Sequence, residues 1–66
     1  MQIFVNDVPV ECPVDTTISE ILNLQGIQPI NLAIAIDNTV IPKVQWNTTI
    51  VKENCNLLII KAVQGG

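Results

Sequence analysis

The chain has 66 residues, 48% of them hydrophobic and 14% charged, which suffices for one small domain and is too apolar for a disordered segment. Three Lys face six Asp and Glu, and the resulting charge of −3 excludes the basic surface that nucleic-acid binding requires. The sequence has no His and a single Ser, Ser19, which excludes a Ser–His or Cys–His nucleophile pair. We therefore expect no catalytic side chain of its own in this protein.

The first two strands are predicted as a hairpin. Met1, Ile3 and Val5 alternate on one face, and the Asn6-Asp7 pair that follows tolerates the left-handed backbone angles of a tight turn. The return strand contains Pro9, which has no N–H to give to a neighbouring strand. We therefore expect this strand at an edge of the sheet.

A short helix is predicted to follow the hairpin. Thr17 and Glu20 have the spacing of a capping box, in which each side chain bonds the backbone N–H of the other residue. Ile18, Ile21 and Leu22 then form one apolar stripe, and Gly26 is a natural C-terminal stop. A helix of about two turns is stable only when it packs on another element.

The rest of the chain predicts a strand, a short edge strand, a loop and a last strand. Residues 32–36 alternate large and small side chains, and residues 39–41 form a short strand that Pro42 ends. Residues 43–49 are expected to be irregular, with Trp46 as an anchor under the loop. Residues 56–63 are apolar on both faces, as a central strand is.

These elements predict an α+β, β-grasp (ubiquitin-like) fold. Its mixed sheet would have four to five strands, with the first and last side by side at the centre and one short helix packed on one face. We expect residues 1–63 to form this domain and residues 64–66 to be a flexible Gly-Gly tail. Because both edges are short and carry Pro, the free protein is expected to be a monomer.

The two Cys, the N-terminus and the apolar runs limit the class of protein further. Two Cys without His cannot close a four-ligand zinc site, so no metal site is expected. Cys12 is predicted to be a small core residue, whereas Cys55 lies in a polar turn and is a candidate for an exposed thiol. No run approaches the roughly 20 residues of a membrane span, and the start of the chain is unlike a signal peptide. We expect no membrane partner, reduced thiols and a cytoplasmic location, or a plastid stroma if the gene is plastid-encoded.

The helix-free face of the sheet is a candidate partner surface. If Ile3 and Leu57 face the helix, the alternate residues emerge on the other face. They are Phe4, Ala33, Ala35, Leu58 and Ile60. The alternatives are that the last strand is buried in the opposite phase, or that scattered exposed apolar residues have no role. Acidic candidates for a rim, which would favour a basic partner, are Asp7, Asp37 and Glu53.

The end of the chain, Gln64-Gly65-Gly66, has nothing to bury. It is either a frayed terminus or a thin arm that carries the Gly66 α-carboxylate, and three extended residues reach about 10 Å. The segments that decide between these readings are Met1-Gln2-Ile3 with Asn6, Thr17–Leu22, Leu32–Ile36, Val40-Ile41-Pro42-Lys43 with Trp46, and Ala62-Val63-Gln64-Gly65-Gly66. Together these segments resemble the ThiS family of ubiquitin-like sulfur carriers in thiamine biosynthesis. The chain departs from that family at Glu53-Asn54-Cys55-Asn56, where a Gly-Asp turn is usual, but Asn54 tolerates the positive φ that Gly would supply.

The resemblance implies a function in which Gly66 is the modified residue. A ThiF-like adenylating enzyme would use ATP and Mg²⁺ to convert the Gly66 carboxylate to an acyl-adenylate. A persulfide sulfur donor would then displace AMP and leave a thiocarboxylate, and a ThiG-like thiazole synthase would take the sulfur. Two alternatives stay open: a related carrier for molybdopterin synthesis, tRNA thiolation or protein conjugation, and a plain interaction domain.

Overall fold

The computed structural model describes residues 1–61, which form a five-stranded sheet, one α-helix and one 3-10 helix. Their bounds are β1 Gln2–Val5, β2 Val8–Glu11, α1 Ile18–Leu24, β3 Leu32–Ile36, β4 Thr39–Val40, the 3-10 helix Lys43–Gln45 and β5 Asn56–Lys61. The predicted boundary after residue 63 and the tail Gln64-Gly65-Gly66 lie outside the described residues.

The β1–β2 hairpin forms as its sequence predicts. Asn6 and Asp7 have φ angles of 50° and 68°, the left-handed region that a tight turn between paired strands requires. Pro9 lies opposite Phe4 of β1, and its other side faces no strand because β2 is at the edge of the sheet. The missing N–H of Pro9 therefore leaves no ladder bond unmade.

Helix α1 is fixed at both ends by local chemistry. The Thr17 hydroxyl accepts a hydrogen bond from the Glu20 N–H (3.2 Å), and the Glu20 carboxylate accepts one from the Thr17 N–H (2.9 Å). Past its C-terminus, Gly26 has a φ of 68°, where a Cβ would add strain. The helix has only seven residues, and none of the helices in residues 1–61 combines the length and apolar composition needed to cross a bilayer.

The sheet has the strand order β2-β1-β5-β3-β4, which confirms the predicted position of the first and last strands at its centre. β1 pairs with β5 in parallel, with Val5 opposite Leu57, whereas the other pairs are antiparallel. β3 pairs with β5 along its whole length, from Leu32 opposite Lys61 to Ile36 opposite Leu57. The sheet is therefore mixed, and β5 lies in its middle.

The hydrophobic core lies between helix α1 and one face of the sheet. Its buried residues are Ile3, Val5, Ile34, Leu57 and Ile59 from the strands, Ile18, Ile21 and Leu22 from the helix, and Cys12, Trp46, Val51 and Cys55 from the connecting segments. Leu57 and Ile59 are thus the inward residues of β5, which confirms the expected phase of the last strand. Within residues 1–61, no helix lies over the other face of the sheet.

The segment after β4 is more regular than the sequence predicts. Pro42 (φ −59°) precedes a 3-10 helix at Lys43–Gln45, because the N–H groups of Gln45 and Trp46 bond the carbonyls three residues earlier. Trp46 is buried, and its indole N–H donates to the carbonyl of Ile41 (2.9 Å). The predicted role of Trp46 as an anchor under this loop is confirmed.

Candidate functional site

The helix-free face of the sheet carries an apolar patch that β1, β3 and β5 build together. Residues directly opposite each other in paired strands point to the same face, so Ala33 lies beside Ile60 and Ala35 beside Leu58. Leu58 and Ile60 are 41% and 51% exposed, whereas Leu57 and Ile59, which alternate with them, are buried. Phe4, on β1, is half-buried on this face and belongs to no part of the core. We call this surface the open face.

Ala35 differs from the expectation of an open position, because it is only 7% exposed. Leu58 lies opposite it on β5, and Val40 lies opposite it on β4. These larger side chains stand on either side of the Ala35 methyl group and cover it. Ala35 is therefore the floor of the open face, and a partner would contact its two neighbours instead.

Val40 is a residue of the open face that the sequence reasoning missed. Its side chain is exposed, and its register opposite Ala35 places it on the same side as Leu58. A strand of two residues is too short for alternation to indicate a face. The strict alternation of β3 together with the Asp37-Asn38 turn would have found it, since a two-residue hairpin fixes the register.

Two of the three acidic rim candidates lie at the start of β5. The carboxylates of Asp7 and Asp37 both bind Asn56: Asp7 accepts from its side-chain amide (3.1 Å), and Asp37 accepts from its backbone N–H (3.0 Å). Asn56 therefore holds the β1–β2 turn and the β3–β4 turn together. The third candidate, Glu53, is exposed in the turn before β5 and forms no ion pair within residues 1–61.

Asn6 has a structural role beyond the turn that the sequence predicts. Its side-chain oxygen accepts a hydrogen bond from the Ile59 N–H (2.8 Å), and its side-chain nitrogen donates one to the Ile59 carbonyl (3.3 Å). Its own backbone N–H donates to the Leu57 carbonyl (2.9 Å). The turn residue thus continues the pairing of β1 with β5 past the end of β1.

Cys55, the candidate for an exposed thiol, is buried: its side chain is only 5% exposed and belongs to the core. Burial raises the pKa of the Cys55 thiol above its ordinary value of 9.0. Cys12 is buried as predicted, and both cysteines are free thiols. Neither thiol is placed to act as a nucleophile toward a bound partner.

Two further features from the sequence analysis are the expected absence of a metal site and the C-terminal Gly-Gly segment. Within residues 1–61, no three or more Cys, Asp or Glu side chains come together in a way that could hold a metal ion. The predicted reactive residues Gln64, Gly65 and Gly66 lie outside the described residues. Lys61, the last described residue, belongs to β5, which lies in the middle of the sheet and contributes Leu58 and Ile60 to the open face.

Residues 1–61 form a five-stranded mixed sheet with parallel central strands and one α-helix over one face, which defines a β-grasp domain. The sequence matches the family model described as "ThiS family" over residues 3–66. The chain therefore belongs to the ThiS family.

Two relatives agree with this membership. The sulfur carrier protein ThiS of Escherichia coli (strain K12) is 30% identical over 66 residues, which span 100% of each chain. A crystal structure of the thiamine biosynthesis protein ThiS from Geobacter metallireducens superposes with a TM-score of 0.86 and covers 100% of both chains. At 19% identity, that structure supports the fold.

Proposed function

We propose that this chain is a sulfur carrier of thiamine biosynthesis, a protein cosubstrate whose Gly66 carboxylate is activated and thiolated by partner enzymes. The observation that carries the proposal is the family match, which runs through Gln64 and Gly65 to Gly66. The full-length similarity to a sulfur carrier protein supports it. In this proposal, residues 1–63 are the folded domain and residues 64–66 the flexible tail that enters a partner's active site.

The first chemical step is activation of the carboxylate. A carboxylate is a poor acyl donor because its oxygen is a poor leaving group. In the proposed step, an oxygen of the Gly66 carboxylate attacks the α-phosphorus of ATP, and pyrophosphate leaves with the electrons of the broken P–O bond. The product is an acyl-adenylate. ATP and Mg²⁺ would bind the adenylating partner, similar to ThiF, and this chain would supply only the carboxylate.

The second step replaces AMP by sulfur. The terminal sulfur of a persulfide attacks the acyl carbon, AMP leaves, and an acyl disulfide forms. A thiol then attacks the donor's sulfur in that S–S bond, which releases the Gly66 thiocarboxylate and a disulfide. The thiocarboxylate sulfur is the nucleophile that a thiazole synthase, similar to ThiG, would receive. The carrier needs no side chain for these steps, which fits a sequence without His.

The open face is the surface that we propose partners bind. Leu58 and Ile60 expose large apolar side chains beside Ala33 and Phe4, and burying them against a partner would be favourable. Ile60 lies one residue before the end of β5. A partner that covers the open face therefore lies beside the last described residue of β5, and in this proposal residues 64–66 enter its active site.

The charges at the two ends of β5 would orient the carrier on its partner in the proposed complex. Asp7 and Asp37 are held at the first residue of β5 by Asn56, whereas Lys61 is its last residue. A six-residue strand separates these ends by about 17 Å. A partner with a basic patch about 17 Å from its tail entrance would attract the acidic end and accept the other end in the correct orientation.

The free carrier is proposed to be a monomer in the cytoplasm, or in a plastid stroma if the gene is plastid-encoded. Pro9 on edge strand β2 and the two-residue length of edge strand β4 both oppose pairing with a second sheet. Size-exclusion chromatography with light scattering would measure the oligomeric state directly. A stable dimer would contradict this part of the proposal.

Mass spectrometry of the intact protein tests the proposed chemistry. The chain is incubated with its adenylating enzyme, ATP, Mg²⁺, a persulfide donor and a thiol. We expect a product heavier by the exchange of one oxygen for one sulfur, and none when Gly66 is deleted. The chain with one Ala appended after Gly66 is the matched control of tail length. If the extended chain is still adenylated and thiolated, the proposed role of the terminal Gly66 carboxylate is wrong.

Co-purification separates thiamine synthesis from the related pathways. The tagged carrier is recovered from its native cells, and the proteins bound to it are identified. A thiazole synthase supports the proposal, whereas a molybdopterin synthase subunit or a thiolated tRNA system would assign the same tail chemistry to a different acceptor.

A further inference from the structure

Strand β5 is supported unequally along its two sides. On one side, β3 pairs with it as far as Lys61, which lies opposite Leu32. On the other side, β1 pairs with it only at Asn56 and Leu57 before the chain turns away at Asn6. Among the described residues, the second half of β5 therefore has a neighbouring strand on one side only.

The side chain of Asn6 occupies the place that the missing β1 residue would fill. It bonds both the N–H and the carbonyl of Ile59, the two groups that a longer β1 would pair. A carboxamide carries a donor and an acceptor in one plane, as a peptide group does. Asn also tolerates the φ of 50° at this turn position. The two hydrogen bonds and the backbone angle together account for Asn at this position.

We propose that Asn6 is a positioning residue for the reaction at the C-terminus, a role that rests on the proposed function. Gly66 is the fifth residue after Lys61, and five extended residues reach at most about 17 Å. Movement of the end of β5 would be transmitted to the reacting carboxylate, whose rate depends on its alignment with ATP. By holding Ile59, Asn6 fixes the half of β5 that precedes the C-terminal residues.

The substitution Asn6→Gly tests this role. Glycine accepts the φ of 50° and keeps the backbone N–H that bonds Leu57, so the change removes the carboxamide alone. The matched control is Asn38→Gly in the β3–β4 turn, where Asn38 has a φ of 72° and bonds nothing in β5 within residues 1–61. Both variants make the same substitution in a similar two-residue turn.

The kinetic readout is pyrophosphate exchange catalysed by the adenylating enzyme. We expect Asn6→Gly to lower kcat about ten-fold with KM within about two-fold of wild type, because docking through the open face is unchanged while alignment of the carboxylate is lost. Asn38→Gly should keep both constants. A kcat for Asn6→Gly equal to that of the control would overturn the proposal, and so would a change confined to KM.

Amide hydrogen exchange provides a readout that does not depend on the proposed function. In Asn6→Gly, the Ile59 N–H loses its acceptor, so the amides of Ile59 and Ile60 should exchange at least about ten-fold faster, with no change in Asn38→Gly. If exchange is unchanged, Asn6 does not hold β5 and the proposal fails. If exchange rises but the wild-type chain is not adenylated, the proposed function fails instead.

A second variant keeps the test valid if Asn6→Gly does not fold. Asn6→Asp retains an oxygen to accept the Ile59 N–H and loses the donor to the Ile59 carbonyl. We expect its kcat to lie between those of Asn6→Gly and wild type, or below wild type if only this variant folds. A wild-type kcat for Asn6→Asp would show that the donor half of the carboxamide is not needed and would overturn a positioning role for the complete group.

Discussion

The two faces of β5 carry the same kinds of residue in different surroundings. Leu57 and Ile59 are buried under helix α1, whereas Leu58 and Ile60 are apolar residues on a face with no helix over it. A solvated strand face usually carries polar residues, as the alternation of antiparallel sheets shows. The comparison teaches that the inward residues hold the domain together, whereas the outward ones leave apolar surface exposed, which is why we propose that face as the partner surface.

The largest expected effect is the loss of an inward residue. Leu57→Ala removes a fully buried side chain at the centre of the sheet and should destabilise the domain by about 2–5 kcal/mol, because the helix and strands cannot close the cavity. Urea unfolding followed by circular dichroism measures this change. Ile59→Val and Ile60→Val each remove one methylene group. The change should lower the free energy of unfolding by about 0.5–1.5 kcal/mol at the buried Ile59 and by less at the exposed Ile60. Equal losses at the two positions would contradict the difference between the faces.

The matched change on the outward face should affect binding instead. Leu58→Ala should alter the free energy of unfolding by less than about 1 kcal/mol but weaken the complex with the adenylating enzyme about ten-fold or more, as expected for an apolar residue at the centre of an interface. Titration calorimetry measures the affinity. Val44→Ala is the control, because Val44 is an exposed residue of the 3-10 helix outside the open face. If both variants bind equally well, the open face is not the docking surface.

Loss of the helix cap should have a smaller effect, limited to the stability of the domain. Thr17→Ala removes the hydroxyl that bonds the Glu20 N–H and should destabilise the domain by about 1 kcal/mol. Thr17→Ser keeps the hydroxyl and should recover most of the stability. Because α1 does not cover the open face, partner affinity should be unchanged in both variants at temperatures where they are folded. A weaker complex with folded Thr17→Ala would mean that the two faces are not independent.

The smallest expected effect is a pH dependence at the inward face. Burial raises the pKa of the folded Cys55 thiol above its ordinary value of 9.0, so the folded protein holds this proton more tightly than the unfolded chain. This stabilisation is complete below about pH 9 and is lost as the pH rises through the folded-state pKa. Unfolding of wild type and Cys55→Ala is compared from pH 7 to pH 10 under reducing conditions.

The control for this comparison is Cys12→Ala, which keeps Cys55. The stability of wild type and of Cys12→Ala should fall above pH 9 more steeply than that of Cys55→Ala. Parallel pH profiles in all three proteins would show that the Cys55 thiol contributes nothing to this dependence.

The sequence alone predicts the framework of the fold because its signals are local. Asn6-Asp7, Asp37-Asn38 and Asn54 tolerate positive φ, and the structure uses each of these residues that way. Pro9 predicts an edge strand because it lacks the N–H that a second neighbouring strand would bind. The last strand is apolar on both faces, a pattern typical of central strands, and β5 does lie between β1 and β3, although its outward residues Leu58 and Ile60 are exposed.

The features that the sequence did not predict depend on contacts between distant segments. The exposed position expected for Cys55 followed from its polar neighbours, although its even spacing from Leu57 and Ile59 would have placed it on the inward face. Ala35 has the predicted phase, but its burial depends on the sizes of Leu58 and Val40 beside it. These sizes matter only once the strand register is known.

The hydrogen bonds between Asn6 and Ile59 could not be predicted from the sequence either, because they also join distant segments. The two residues are 53 positions apart in the chain, and only the parallel register of β1 with β5 brings them together. A sequence pattern identifies Asn6 as a turn residue, since φ is a local property. The partner of its side chain is a property of the whole sheet.

The central position of β5 also governs when the domain can fold during synthesis. β1 and β3 are not neighbours in the sheet, because β5 lies between them and pairs with both. A nascent chain that ends before Asn56 therefore has two separate hairpins and no continuous sheet under its helix. Such non-local pairing slows folding, since the loop must close before the contacts form. Only a chain translated through β5 can complete its core, so chains interrupted earlier remain recognisable to proteases as unfolded.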